Sequence, residues 1–453
     1  MHSVPSIHDY RPTQNPCKLC APLGAALAFK GVAGAMPLLH GSQGCATYIR
    51  RYVISHFREP VDIASSSFGE EAVVFGGGPS LNLSLDNMRS QYAPKLIGIA
   101  TTCLAETIGD DVPALLKKYR DTHEADDTPV MVPVSTPSYS GTHADGFHAT
   151  VLALVQALAE SRSPSSRVNL LPGMASPADL RALKGVFGAF GIPAIVLPDC
   201  SQTLDGVQWE DFQAIPPGGT ALEDIRSMAS AIATIQFGRT LTHTKSAGHY
   251  LEQRFGVPCH SLGLPIGVQA TDRLMRVLEA LSGHPLPTAY AEARGKLVDA
   301  YVDGHKYVFG ARVVVYGDAD LVAGVAAILT EIGAVPVLCA TGERGGSLAE
   351  IIDDGRPGSA PPPLVLDDAD FMQMEEAALD LHPDLVIGSS KGASMARRCG
   401  VPLVRIGFPI HDRFGGARVR LFGYEGSHQL FDRVVNALLE KREVDLGHDY
   451  AYQ

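Results

Sequence analysis

The chain has 453 residues, 45% of them apolar and 19% charged, which is core material for two or three domains. Its 37 basic and 49 acidic side chains leave a net charge of −12, which argues against general affinity for nucleic acid or anionic membranes. No apolar run is long enough to span a bilayer, and the polar, proline-broken start Met1–Pro5 leads into no signal-peptide core. The chain is expected to be cytoplasmic, with its eight cysteines reduced and serving as core residues or ligands.

Residues 1–20, rich in Pro, His and polar groups, read as an irregular arm. It ends in Cys17-Lys18-Leu19-Cys20. A single C-x-x-C with no strand before it is not a thioredoxin motif, and without a second pair it is not a zinc ribbon. Cys20 remains a candidate ligand, with Cys17 a bystander or an accessory thiol. An Ala/Leu/Phe pattern over 24–32 predicts a short helix, and a long stretch of mixed polarity follows. The apolar run over 95–100 predicts a buried parallel strand, 112–119 a helix, 130–134 the next strand and 147–159 another helix. The pattern repeats with a strand at 168–171, a helix at 177–190 opened by the N-cap Ser176, and a strand at 194–197. A third block has a strand at 312–316, a helix at 319–332, and strands at 335–339, 385–387 and 403–406. Alternation at this spacing predicts right-handed βαβ units. The expected fold is α/β, with three Rossmann-like domains of parallel sheets flanked by helices. The expected boundaries are an arm at 1–20, domains at 21–160 and 161–299, and a third domain with the C-terminal tail at 300–453. The Pro/Gly-rich stretch 354–363 reads as a surface loop.

The chemistry concentrates at three cysteines. Cys20 precedes Ala-Pro-Leu-Gly, Cys45 follows Gly-Ser-Gln-Gly, and Cys103 follows a strand and Thr101-Thr102, so each sits at a turn-like break. Thiolates are soft ligands suited to iron–sulfur clusters and zinc, and nearby glycines let backbone amides approach sulfide. Ser138 follows the strand next to that of Cys103, and parallel strands deliver their C-terminal ends to one edge. Cys200, Cys259, Cys339 and Cys399 read as core or surface cysteines. Gly317 to Gly324 follows a strand but carries Ala319 where a dinucleotide motif needs its second glycine, so it predicts an ordinary turn. No phosphate-binding G-x-x-x-x-G-K-[ST] motif and no nucleophile-elbow triad occur. Gly76-Gly77-Gly78 reads equally as a flexible turn or a close-approach surface.

Several segments together resemble the β subunit of nitrogenase-type reductases. They are Cys20–Ala25, His40–Cys45, His56–Pro60, Ala72–Gly77, Thr101–Asp111, Thr136–Ser138, Arg294–Asp299 and Val404–Ile410. The resemblance implies that Cys20, Cys45 and Cys103 hold half of a P-cluster, an 8Fe-7S electron relay shared with an α subunit in an α2β2 heterotetramer. It implies that Ser138 can ligate an iron when the cluster is oxidised; a hard alkoxide suits the more oxidised metal. It also implies an iron–sulfur cofactor in the α partner and an ATP-dependent iron protein that carries a four-iron cluster and docks at Phe75. A mononuclear metal between β subunits would take the carboxylates of Glu59, Asp299 and Asp303 and the carbonyl of Arg58. Asp299 and Asp303, four residues apart, would share a helix face, which reads equally as a solvated acidic face. Retention of three cysteines and Ser138 argues for a catalytic reductase rather than a cofactor-assembly scaffold. The short arm before Cys20 and the extra Cys17 favour the methylthio-alkane reductases, which cleave C–S bonds to release methanethiol, over a dinitrogen reductase.

Overall fold

Among the described residues, thirteen strands, all paired in parallel, make three separate sheets. The computed structural model describes residues 14–123, 128–241, 246–355 and 361–446. Residues 1–13 of the expected arm, 356–360 of the expected surface loop and the end of the tail at 447–453 lie outside the described residues.

The first sheet has the order β2-β1-β3-β4, with β1 at Ala35–His40, β2 at Ala64–Ser65, β3 at Leu96–Thr101 and β4 at Val130–Val134. Every residue of β1 and β3 is buried, which is why 96–100 reads as an unbroken apolar run. The second sheet has the order β6-β5-β7-β8 (β5 Val168–Leu171, β6 Ala194–Val196, β7 Ala233–Phe237, β8 Cys259–Leu262). The third has the order β11-β10-β9-β12-β13 (β9 Arg312–Gly317, β10 Val335–Thr341, β11 Leu364–Leu366, β12 Leu385–Gly388, β13 Leu403–Arg405). The expected α/β class with parallel sheets flanked by helices is what the chain adopts. The turn at Gly317 simply joins β9 to the helix Ala319–Glu331.

The mixed stretch after residue 32 is structured throughout. It holds β1, the helix Gln43–His56, β2 and the helices Glu70–Phe75 and Gly78–Tyr92. Pro37 sits inside β1, where a missing N–H should weaken a central strand. The neighbouring β2 pairs only with Leu38 and Leu39, so no ladder on that side extends to Pro37. Pro336, in β10, sits at a register shift between Pro336 and Leu338.

The helix Ala21–Lys30 is buried along all ten residues and lies against the helix His143–Leu158. A helix apolar all round belongs in a core. The two backbones meet at glycines: a Cβ on Gly24 would lie 1.7 Å from the carbonyl oxygen of His143, and one on Gly146 would lie 1.9 Å from that of Ala21. The helix that starts at Ala21, immediately after Cys20, is thereby fixed to the helix that follows Ser138.

His56, at the end of Gln43–His56, joins the first block to the third by accepting the Ile410 N–H on Nδ1 at 2.9 Å. Burial pushes its pKa down from 6.5 to about 4. Folding therefore holds His56 neutral where the unfolded chain would take a proton. The resulting stability is fully present above about pH 6.5 and is lost as pH falls toward 4, by up to about 3 kcal/mol. Thermal melts at pH 7 and pH 5 should show a smaller loss of Tm for His56→Gln than for the wild type. Equal losses would show that His56 does not carry the effect.

Candidate functional site

In the first sheet β1 and β3 are neighbours, yet the chain leaves β1 toward β2 and β3 toward β4. Their C-terminal ends therefore flank a topological switch point, the place where open parallel sheets form crevices. Cys45 follows β1, Cys103 follows β3 and Ser138 follows β4. The three loops are stitched together by hydrogen bonds to backbone carbonyls. The Thr102 N–H donates to the His40 carbonyl at 3.0 Å, and the Thr136 hydroxyl donates to the Thr101 carbonyl at 2.7 Å.

None of the three cysteines sits in a plain turn; each lies at the start of a helix. Cys20 is the N-cap of Ala21–Lys30, Cys45 is in the first turn of Gln43–His56, and Cys103 opens Cys103–Ile108. Unpaired N–H groups and the positive end of the helix dipole favour an anionic thiolate at such positions. Ser42 caps the Cys45 helix by accepting the Gly44 N–H at 3.3 Å.

Ser138 ties two cysteine segments together. Its N–H donates to Cys103 Sγ at 3.2 Å, and its Oγ accepts the N–H of Ala21, the residue after Cys20, also at 3.2 Å. Burial raises the pKa of Cys45, and negative charge on the nearby Cys20 and Cys103 raises it further. Cys20, Cys45, Cys103 and Ser138 are thus one constellation. Among the described residues, no three His, Cys, Asp or Glu side chains are placed to hold a metal ion. Three mutually repelling soft donors with no single-ion geometry fit a multi-iron group, which spreads positive charge among separate sulfurs. Cys20 is exposed and Cys45 and Cys103 are half-buried, so the constellation opens onto the surface of the chain.

The third sheet completes the site, and sequence reasoning missed this. The segment before Cys20 lies along Asp368–Phe371. Cys17 N–H donates to the Ala369 carbonyl at 2.9 Å, and Lys18 Nζ pairs with Asp368 at 2.7 Å. The Leu19 N–H donates to His143 Nδ1 at 3.3 Å, and His143 Nε2 lies 3.1 Å from Asp318 Oδ1. Cys17 itself packs among Val314, Tyr316 and Leu338, and burial pushes its thiol up to about 12. It is a core thiol. Burial likewise pushes Cys200 and Cys339 up to about 12, and Cys259 up to about 11.

Beside this constellation, the helix Glu70–Phe75 presents Val74 and Phe75, which are 71% and 85% exposed. The turn after it is tightly packed within the chain, because a Cβ on Gly77 would lie 2.2 Å from the Phe68 ring. The Gly77 N–H donates to the Asp110 carboxylate at 3.1 Å, and Asp110 in turn meets His40 Nε2 at 3.1 Å. Asp299 and Asp303 do share one face of the helix Thr288–Val308 and line a groove with His428 and Asp432. Both are exposed, and Asp303 lies 3.6 Å from Lys306. Glu59 is exposed on the loop after Gln43–His56 and is not among the residues lining that groove. A separate cleft where the three blocks meet, lined by His56, Phe147, Asp318, Asp320, Phe408 and Phe422 among others, includes none of the three cysteines.

Residues 20–439 match the family described as nitrogenase component 1 type oxidoreductase. The chain is 35% identical over 436 residues to the nitrogenase molybdenum-iron protein beta chain of Clostridium pasteurianum, spanning 95% of this chain and 94% of the relative. It is 34% identical over 452 residues to the nitrogenase vanadium-iron protein beta chain of Trichormus variabilis, spanning 96% and 95%. It is also 33% identical over 435 residues to the nitrogenase iron-molybdenum cofactor biosynthesis protein NifN of Bradyrhizobium diazoefficiens, spanning 95% and 90%. Among solved structures, "Nitrogenase Cp1 at pH 6.5" superposes with a TM-score of 0.93 at 33% identity, covering 99% of this chain and 98% of that one. The chain therefore belongs to the nitrogenase component 1 type oxidoreductases, as a β-type subunit.

Proposed function

We propose that this chain is the electron-relay half of a nitrogenase-like reductase, with Cys20, Cys45 and Cys103 holding its share of a P-cluster. The observation that carries the reading is the convergence of those thiols at the switch point of the first sheet, with Ser138 bridging two of their segments. When bound, the cluster supplies a reversible store of electrons. The chain positions its sulfur ligands at helix starts and keeps a hydroxyl, Ser138, within reach of both the Cys20 and Cys103 segments. An α subunit would cover the open side of the constellation and carry the substrate-reducing iron–sulfur cofactor, in an α2β2 assembly. The exposed Val74–Phe75 patch would receive the ATP-dependent iron protein, whose nucleotide chemistry explains a relay chain without a phosphate-binding loop. A mononuclear metal would form only between two copies, with Glu59 and the Arg58 carbonyl from one and Asp299 and Asp303 from the other.

The substrate class we assign is a methylthio-alkane, cleaved reductively to methanethiol. The rival substrate is dinitrogen, supported by the identity to molybdenum-iron and vanadium-iron β chains. The other rival, a cofactor-assembly scaffold, is supported by the similarity to NifN. The test is product analysis of the anaerobic complex with its iron protein and ATP, supplied with 2-methylthioethanol, dimethyl sulfide or N2. Methanethiol release is expected. Ammonia without methanethiol would favour the dinitrogen reading, and no turnover by an iron-loaded complex would favour the scaffold.

A further inference from the structure

Lys391 lies in the turn after β12, more than 370 positions from Cys20 in sequence, yet its side chain reaches the segment that carries Cys20. Its Nζ donates to the Pro16 carbonyl at 2.5 Å and to the Lys18 carbonyl at 3.3 Å. The Phe371 ring lies beneath the ammonium, with its centroid 5.6 Å away. The turn itself is held by two hydrogen bonds to its surroundings. The Ser390 N–H donates to the Pro409 carbonyl at 3.0 Å, and the Gly392 N–H donates to the hydroxyl of buried Tyr316 at 3.0 Å. Among the described residues no carboxylate pairs with Lys391, and the negative groups that bear on it are the Cys17 and Cys20 sulfurs. The Lys18 carbonyl that the ammonium holds is two residues from Cys20, so an anionic cluster at Cys20 would place a countercharge beside this largely buried cation. A buried ammonium without a countercharge is costly, and an anionic thiolate cluster supplies one.

We propose that Lys391 is a positioning residue for the relay: its ammonium clamps the Cys20 segment to the third sheet and sets a fixed positive charge at the edge of the cluster. This rests on the cluster reading above. The clamp holds the approach to Cys20 in one geometry, and the charge favours the more reduced, more negative state of the cluster. Arginine retains both the charge and the donors, whereas methionine keeps the apolar stem and removes them.

The test uses the anaerobically purified α/β complex carrying wild-type chain, Lys391→Met or Lys391→Arg. Three readouts serve: iron content, the midpoint potential of the cluster by redox titration, and amide exchange over residues 17–23. For Lys391→Met, iron should be retained and the oxidised-to-reduced ratio at fixed potential should rise about tenfold, equivalent to 59 mV for one electron. Exchange at 17–23 should also accelerate, and Lys391→Arg should stay near wild type in all three. Wild-type potential and exchange in Lys391→Met would overturn the proposal. Should Lys391→Met fail to load iron, full loading of Lys391→Arg supports the clamp and an equal loss overturns it. A wild-type complex without iron would instead refute the cluster reading itself, which separates the two failures.

Discussion

Replacing Cys103 by Ala is expected to abolish substrate reduction by the assembled complex and to lower its iron content. Cys103 opens a helix directly after β3 and receives the Ser138 N–H, so its removal deletes a soft donor and strands an amide that points at it. Loss of an outer-sphere partner typically costs a metal site 10–100-fold, so loss of a direct sulfur ligand should cost roughly 100-fold or more in turnover. The first sheet should survive, because β3 and its pairing with β1 and β4 do not involve the thiol. Circular dichroism and thermal melts near wild type, together with activity below about 1%, would place the loss at the relay. Turnover near wild type would show that Cys103 holds no cluster.

Replacing Gly24 by Ala should damage the fold itself. The added methyl would sit 1.7 Å from the His143 carbonyl oxygen and 2.8 Å from the Phe147 nitrogen, both backbone atoms that cannot rotate away. The helices Ala21–Lys30 and His143–Leu158 would have to separate. Overpacking of this kind should cost roughly 3 kcal/mol or more. For a chain of 453 residues that corresponds to a fall in Tm of about 3 °C or more. Cys20 and Ser138 flank these same helices, so iron loading should fall too. Gly188, in the helix Pro177–Ala189, is the control, since a Cβ there would meet nothing within 4 Å. Gly188→Ala should leave Tm unchanged or raise it slightly, through the lower entropy of the unfolded chain. Equal melts for the two variants would show that the Gly24 contact is not close-packed.

Those outcomes depend on features that differed in how far the sequence revealed them. Strands buried on both faces, such as β3, β9 and β12, were plain because burial demands an unbroken apolar run. β1 was hidden by Pro37, an unfavourable residue in a strand that the short reach of β2 makes tolerable. The helix bearing Cys45 was hidden by Gly-Ser-Gln-Gly, which reads as a turn; Ser42 as an N-cap was the signal that could have revealed it. The resemblance singled out Cys20, Cys45, Cys103 and Ser138, and strand order explains why three of them share an edge. The role of the third sheet was invisible in sequence. No local pattern links Lys391 to Pro16 or Asp368 to Lys18, because those contacts exist only once three separately wound sheets are packed together. Asp299 and Asp303 were legible as a helical pair, whereas a partner for them from a second copy leaves no trace in one chain.

The most direct test of the relay assignment is an anaerobic structure of the complete α/β complex, with anomalous scattering recorded at the iron edge. Iron bonded to Cys20, Cys45 and Cys103 at the boundary between the two subunits is the predicted result. Iron-free thiols at that boundary, in a complex that still reduces its substrate, would contradict it.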